Sequence, residues 1–102
     1  MRIHFERKGG FTGIPLTATI DVDELPEADG QHFRDIISAA NFFSLPSLIA
    51  APTPIPDRFR YTLTIETAEQ RHVVSVDETA VPPPLRALIQ ALTSAAQVRR
   101  RT

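Results

Sequence analysis

The three histidines are the residues in this sequence best suited to metal binding or acid–base catalysis. No two of them stand at the spacing of a metal-ligand pair, and the sequence contains no His-Glu-x-x-His motif. Because cysteine is absent, a structural zinc site would need histidine and carboxylate ligands from three distant elements. We therefore predict that His4, His32 and His72 are surface or rim residues, and we expect no metal and no cofactor.

Nucleophilic catalysis lacks its usual sequence signals as well. No serine lies in a nucleophile-elbow motif, and without cysteine there is no thiolate chemistry. The glycines near residue 10 are not followed by the Gly-Lys-Ser/Thr of a phosphate-binding loop. We predict that the protein is not an enzyme. A small metal-dependent enzyme stays open as a third alternative, which stoichiometric metal in the purified protein would support.

A glycine-rich segment is the first candidate for binding a partner. It has the sequence Gly9-Gly10-Phe11-Thr12-Gly13. One interpretation is a hairpin turn whose glycines adopt positive φ angles. The other is a protruding tip that carries Phe11 outwards, because an aromatic side chain flanked by glycines can anchor in a partner's pocket. The sequence leaves both interpretations open.

An acidic run from residue 21 to residue 29 is the second candidate. It contains Leu25, Pro26 and Glu27 but no basic residue. It does not match a calcium-binding loop, because Pro26 occupies the position at which that loop needs glycine. The run is typical of the solvated start of a helix, where carboxylates meet the positive end of the helix dipole. Its functional alternative is a contact surface for a basic partner.

Apolar periodicity predicts six elements in the order β-β-α-β-β-α. The strands are predicted over residues 2–7, 14–20, 58–66 and 72–76, and apolar helical faces run from Phe33 to Ala40 and from Leu85 to Leu92. The first helix could begin at Pro26, or at Gly30 with Asp29 as its cap. The proline-rich residues 46–56 are predicted to form a surface loop. Together these elements predict an α+β fold, a four-stranded antiparallel sheet with the helices packed on one face.

Length and composition set the remaining expectations. With 102 residues the chain is predicted to be one domain, residues 1–102, in which residues 97–102 form a frayed basic tail. The net charge of -1 and the lack of a long apolar segment point to neither nucleic acid nor membrane as a partner. The first residues contain no apolar signal region, so we expect a cytoplasmic protein, with non-classical export as the alternative. We expect the free protein to be a monomer.

Four short blocks, in this order between residues 2 and 86, repeat the pattern of a known family. They are Arg2-Ile3 followed by Arg7-x-Gly9-Gly10-Phe11-x-Gly13-Ile14, then Phe42-Phe43-x-Leu45-Pro46, then Pro56-Asp57-x-Phe59-x-Tyr61-x-Leu63-Thr64-Ile65-Glu66, and last Val81-Pro82-x-Pro84-Leu85-Arg86. In this combination the blocks resemble the protealysin inhibitor (emfourin-like) family of bacterial proteins.

The resemblance implies a slow, tight-binding protein inhibitor that blocks the active-site cleft of thermolysin-like zinc metallopeptidases. The zinc belongs to the target, so the inhibitor carries no metal itself. The residues that would contact the peptidase come from the two candidate segments: Gly9, Gly10, Phe11, Thr12, Gly13, Leu25, Pro26 and Glu27. The resemblance favours the glycine-rich segment, because the acidic run and residues 47–55 match no block. The alternative function is a non-inhibitory protein–protein interaction domain that regulates a neighbouring partner.

Overall fold

The structure is a computed structural model that describes residues 1–10, 13–53 and 58–101, and of residues 99–101 only the backbone. Within those residues the chain forms five strands and two α-helices. These are β1 (Arg2–Gly9), β2 (Leu16–Asp21), α1 (Glu27–Ala39), β3 (Leu48–Ile49), β4 (Phe59–Glu66), β5 (Arg71–Asp77) and α2 (Pro83–Arg101). Short 3₁₀ turns occupy Val22–Glu24, Phe42–Ser44 and Glu78–Ala80. Neither helix is long and apolar enough, within the described residues, to cross a membrane.

The strands form one mixed sheet in the order β2-β1-β4-β5-β3. Strand β1 lies between β2 and β4 and is antiparallel to both, while β4 and β5 form a hairpin. Strand β3 pairs parallel to β5 at the far edge. The α+β class is therefore confirmed. The predicted four-stranded, fully antiparallel sheet and the element order β-β-α-β-β-α are corrected by this fifth strand.

Strand β3 lies inside the segment that the prolines predict to be a loop. Leu48 is opposite Ser75 and Ile49 is opposite Val76, and the Ser75 N–H donates to the Ser47 carbonyl at 2.8 Å. A two-residue strand is too short to show an alternating pattern, and prolines on either side conceal it further. Its existence depends on the edge of β5, because so short a strand has no stability alone.

Both helices pack on one face of the sheet, as the apolar stripes predict. Alternate strand residues are buried against them, and the helices contribute residues at helical spacing. The buried apolar side chains include Ile3, Phe5, Leu16, Ala18, Ile20, Leu63, Ile65, Val74 and Val76 from the strands and Phe33, Ile37, Leu85, Leu88, Ile89 and Leu92 from the helices. The opposite face of the sheet carries mainly threonine, serine and charged residues. Such a solvated face is ordinary for an antiparallel sheet.

Helix α1 begins at Glu27, with Pro26 as its N-cap residue and no side-chain cap. The alternative start at Gly30, with Asp29 as the cap, is therefore wrong. Gly30 lies inside the helix and is buried, and a Cβ atom there would be 3.0 Å from the Val22 carbonyl oxygen. Glycine has a low helix propensity, but here the preceding 3₁₀ turn packs so closely that a side chain would force its backbone to shift.

Candidate protein-binding surface

The glycine-rich segment leaves the sheet where the ends of three neighbouring strands meet. Gly9 is opposite Phe59 across β1 and β4, and Arg60 is opposite Asp77 across β4 and β5. We call this region, with Gly9, Gly10, Phe59 and Asp77, the glycine-loop end of the sheet. The first and third blocks of the family pattern therefore meet here, although they are far apart in the sequence.

Gly9 and Gly10 are required both by the backbone and by close neighbours. Their φ angles are 97° and 76°. A Cβ atom on Gly9 would lie 2.5 Å from the Arg58 carbonyl oxygen, and one on Gly10 would lie 2.6 Å from the Phe59 ring. Gly13 also has a positive φ, 65°, with no atom within 4 Å of its Cβ position. The positive φ angles expected of a hairpin turn are therefore present.

The aromatic residue predicted to be the anchor, Phe11, and its neighbour Thr12 lie outside the described residues. An exposed apolar side chain nevertheless follows the turn. Ile14 is 56% exposed and stands directly between Gly13 and Pro15. Single exposed apolar residues are common on protein surfaces. This one is of interest because it directly follows the glycine-rich segment, whose first two glycines lie close to Arg58 and Phe59.

Phe59 contacts the turn from the side of β4. The guanidinium carbon of Arg7 lies 4.2 Å from the centroid of the Phe59 ring, a cation–π arrangement. The Phe59 backbone N–H donates to Glu78 Oε1 at 3.0 Å. Phe59 is therefore held by β1, through Arg7, and by the 3₁₀ turn after β5, through Glu78, while its ring packs against Gly10.

Asp77 connects three strands at the same end of the sheet. Its carboxylate accepts the Ala51 N–H, just after β3, at 2.8 Å and Arg60 Nε, in β4, at 2.9 Å. The backbone hydrogen bond from Ala51, followed by the hydrogen bond from Arg60, holds the pKa of Asp77 below its usual value. The carboxylate is therefore ionised near neutral pH and already committed to bonds within the protein.

Tyr61 lies further along β4, with its ring centroid 6.0 Å from that of Phe5. Together with Glu78 and Arg86 it lines a shallow cleft of about 210 Å³. Partial burial, and secondly the negative charge of Glu78, raise the pKa of Tyr61, and Arg7 opposes them. The phenol therefore stays protonated at neutral pH, where it can donate a hydrogen bond but is not a nucleophile.

The acidic run is held in place at the start of α1. The Asp23 carboxylate accepts hydrogen bonds from the Met1 amino group and from Arg34, each at 2.7 Å. These two bonds lower the pKa of Asp23. Leu25 is half-buried and packs against the core. The contacts of this segment therefore belong first to the fold, because withdrawing Leu25 would expose apolar surface now in contact with the core.

The two predicted contact segments lie at opposite ends of the β1–β2 hairpin. The glycines precede Leu16, where β2 begins, whereas Pro26 and Glu27, both exposed, follow Asp21, where β2 ends. Strand β2 has six residues, which at about 3.4 Å each keep the segments roughly 17 Å apart. The structure therefore does not bring them together, and one side-chain pocket of a partner cannot receive both.

Two of the three histidines, His4 and His72, lie within hydrogen-bond distance of other residues of the fold, and His32 is exposed on α1, as predicted for a surface residue. His72 Nε2 lies 2.7 Å from the Leu45 carbonyl oxygen, which requires a proton on Nε2, and the ring contacts Phe42 edge-on. His4 Nδ1 lies 3.2 Å from Thr19 Oγ1 on the solvated face. In the part of the chain that the structure describes, no three potential ligands are grouped so that they could hold a metal ion.

Sequence reasoning did not single out Arg7, Phe59 and Glu78. Arg7 and Phe59 stand inside blocks of the family pattern, which was the available signal. What joins them is the pairing of β1 with β4, and that pairing cannot be deduced from the spacing of apolar residues in either strand.

The described residues form a small α+β domain with one mixed sheet and two helices. Comparison with protein-family profiles matches residues 5–93 to the Emfourin family. The chain therefore belongs to the emfourin family, which implies an inhibitor of thermolysin-like metallopeptidases. No curated protein and no solved structure matches the chain.

Proposed function

We propose that this protein binds in the active-site cleft of a thermolysin-like zinc metallopeptidase through its glycine-loop end and so blocks the cleft. Family membership supports the inhibitory function and the class of peptidase. One observation carries the choice of surface: Gly9 and Gly10 are fixed against β4, and the exposed Ile14 follows directly after the turn. The cleft of such an enzyme lies between two domains and has an apolar pocket beside the zinc, which suits an apolar side chain next to glycines.

The physical advantage of this surface is that little must be ordered on binding. Backbone already held at Gly9 and Gly10 loses little conformational entropy in the complex. Glycine has no side chain, so another protein can approach its backbone closely. The apolar side chain would be that of Phe11, within the glycine-rich segment, or of Ile14, directly after it.

The acidic segment is less suited to enter the cleft. Leu25 is packed against the core, and Asp23 before it is held by Arg34. Inserting Leu25 into a pocket would mean breaking these contacts first, and that free energy would be subtracted from the affinity. The exposed Pro26 and Glu27 can still touch the rim of an enzyme that is engaged elsewhere.

The function is tested by titrating thermolysin with the purified protein and following hydrolysis of a peptide substrate. We expect stoichiometric loss of activity, because a tight inhibitor removes one enzyme molecule for each molecule added. Full activity at micromolar excess would contradict the proposal and favour the non-inhibitory interaction domain.

The choice of surface is tested with Phe11→Ala, Ile14→Ala and Leu25→Ala. We expect at least one of the first two to raise the inhibition constant by about tenfold or more, which corresponds to ~1.4 kcal/mol. Leu48→Ala is the matched control, because Leu48 is also an aliphatic residue with 56% exposure but lies at the opposite edge of the sheet. If Leu25→Ala alone abolishes inhibition while the protein stays folded, the acidic segment is the binding surface.

A further inference from the structure

We propose that the glycine-loop end recognises carboxylates on the rim of the peptidase cleft, through Arg58 and Arg86. The two guanidinium groups line two separate shallow clefts at this end of the sheet. The inference rests on the proposed function and adds the chemistry of the surface that the partner must present. Its test below can fail while the proposed function stands.

The first cleft lies on the solvated face of the sheet, beside the end of β3. It has a volume of about 270 Å³, and Arg58, Arg60 and Asp77 are among its lining residues. Its carboxylate, Asp77, already accepts the Ala51 N–H at 2.8 Å and Arg60 Nε at 2.9 Å. Arg58 is exposed, and among the described residues no acidic side chain forms an ion pair with it. The donors of its guanidinium group are therefore available to a partner.

The second cleft, of about 210 Å³, lies on the helix side of the sheet, between Tyr61 and the start of α2. Its carboxylate, Glu78, accepts the Phe59 N–H at 3.0 Å. The charges of Glu78 and Arg7 act on the pKa of Tyr61 in opposite directions, so Arg7 partly offsets the negative charge here. Arg86 is exposed and has no ion-pair partner in the part of the chain that the structure describes. The protonated Tyr61 hydroxyl adds a second donor to this cleft.

The two clefts open on opposite faces of the same end of the sheet. A partner that encloses this end can therefore contact both guanidinium groups, as the two walls of a cleft between two domains would. A carboxylate is the complementary group, because a guanidinium binds its two oxygens with two parallel N–H···O hydrogen bonds.

The opposite end of the β1–β2 hairpin carries the contrary charge. Glu24, Glu27 and Asp29 are exposed there, and none of them forms an ion pair with another described residue. An acidic surface is therefore attracted to the glycine-loop end and repelled by the start of α1. This separation of charge orients the protein before contact, so that the glycine-loop end meets the partner first.

The quantity that tests this role is the association rate constant. Exposed charges at the rim of an interface change the rate of encounter more than the rate of dissociation, and an exposed ion pair adds little to the stability of a complex. An apolar anchor at Phe11 or Ile14 acts in the other way, because it must leave its pocket before the complex dissociates.

The decisive variant is Arg58→Gln/Arg86→Gln, assayed by progress curves of thermolysin with a peptide substrate. Salt is varied from about 0.01 M to about 1 M, over which the screening length falls from about 30 Å to about 3 Å. The uninhibited rate is measured at each salt concentration. We expect the association rate constant of the parent to fall as salt rises. At low salt the variant is expected to associate about tenfold more slowly than the parent, and at high salt the two should converge.

Arg2→Gln/Arg71→Gln is the matched control, because it makes the same change in net charge at the other end of β1 and β4. We expect it to associate like the parent at every salt concentration. If the parent inhibits but its association is independent of salt, or if the control slows association as much as Arg58→Gln/Arg86→Gln does, carboxylate recognition is wrong and the proposed function stands. A parent that leaves thermolysin fully active overturns both.

A coupling experiment tests the facing surfaces directly. Lys8 is the only lysine of the chain and lies opposite Arg60, whereas the Met1 amino group is at the other end of β1, bound to Asp23 at 2.7 Å. A carbodiimide joins an amine to a carboxylate in contact with it as an amide, and takes up the water that is lost. In the inhibited complex we expect mass spectrometry to find Lys8 joined to an aspartate or glutamate of thermolysin.

Lys8→Arg keeps the charge but removes the reactive amine, so it is expected to inhibit like the parent without forming the coupled product. Coupling through Met1 alone, or no coupling in a fully inhibited mixture, overturns the inference and leaves inhibition itself untouched.

Discussion

At the residue scale, a few side chains at the glycine-loop end hold several strands at once. Asp77 binds the backbone after β3 and the side chain of Arg60 in β4. Glu78 reaches back to the start of β4, and Arg7 stacks on Phe59. These side chains fix the rim of the sheet, where backbone pairing ends and hydrogen-bond partners would otherwise be water.

Replacement of Asp77 by asparagine is expected to lower the thermal midpoint near neutral pH. The folded pKa of Asp77 is below the ordinary value of 3.8, so folding stabilises the ionised carboxylate. That contribution is complete above the unfolded pKa and is lost as the pH falls through the folded pKa. The midpoint difference between the parent and Asp77→Asn should therefore shrink when unfolding is followed by circular dichroism from about pH 7 to about pH 3.

The control for this measurement is Glu69→Gln, an exposed carboxylate in the turn between β4 and β5. We expect its midpoint to follow that of the parent at every pH. If the difference in thermal midpoint between the parent and Asp77→Asn grows as the pH falls, the lowered pKa does not belong to the folded state.

Candidate residues could be predicted in part from the sequence. The clustered glycines predict a turn, and the positive φ angles at Gly9 and Gly10 agree with that prediction. Leu25 could not be judged in the same way, because whether an apolar residue faces a partner or its own core depends on the packing of α1. That Phe59 lies next to Gly10 could not be predicted either, because only the register of β1 against β4 brings the two residues together.

At the element scale, alternation found the four long strands and helical spacing found both helices. These signals work because each element buries one face, which repeats in the sequence. Strand β3 was missed because two residues are too few to show an alternating apolar pattern. The position of β1 between β2 and β4 was not deduced either, because any apolar strand face would fit any place in the sheet.

Gly30 in α1 provides a prediction at this scale. In an exposed helix, Gly→Ala is expected to stabilise by about 1 kcal/mol. Here we expect Gly30→Ala to destabilise, because the new Cβ would lie 3.0 Å from the Val22 carbonyl oxygen, a backbone atom that cannot easily move. Urea unfolding decides the sign, and Ser38→Ala, at an exposed position in the same helix, is the control. A stabilised Gly30→Ala would show that the contact between α1 and the 3₁₀ turn is looser than described.

At the scale of the whole molecule, the two candidate contact segments are separated by the length of the β1–β2 hairpin. The fold thus offers a partner a turn at one end and acidic residues at the other, with the core between them. One side-chain pocket of an enzyme can receive a residue from one end only. We therefore expect variants in the glycine-rich segment to weaken inhibition more than stability, and Leu25→Ala to weaken stability more than inhibition.

The predicted frayed tail, residues 97–102, can be tested by deletion. Among the residues of α2 whose side chains the structure describes, Ala96 is the last buried one, and Gln97 and Val98 are exposed, the latter by 62%. Deleting residues 97–102 is therefore expected to change the free energy of unfolding by less than about 1 kcal/mol, within the range of surface changes. Denaturant unfolding measures the change, and deletion of residues 92–102, which also removes the buried Leu92 and Ala96, is the contrasting control. A large loss on the shorter deletion would contradict the prediction.

The pairing of β1 with β4 also determines when the sheet can form during synthesis. Ile3 lies opposite Ile65, so the sheet cannot be assembled until β4 has left the ribosome. Folds dominated by such distant pairings also form more slowly than helical ones. The turn after β1 is translated among the first residues, yet its support from Phe59 and Glu78 arrives only with the second half of the chain. The contacts at the glycine-loop end are therefore complete only once translation has passed β5 and the turn after it.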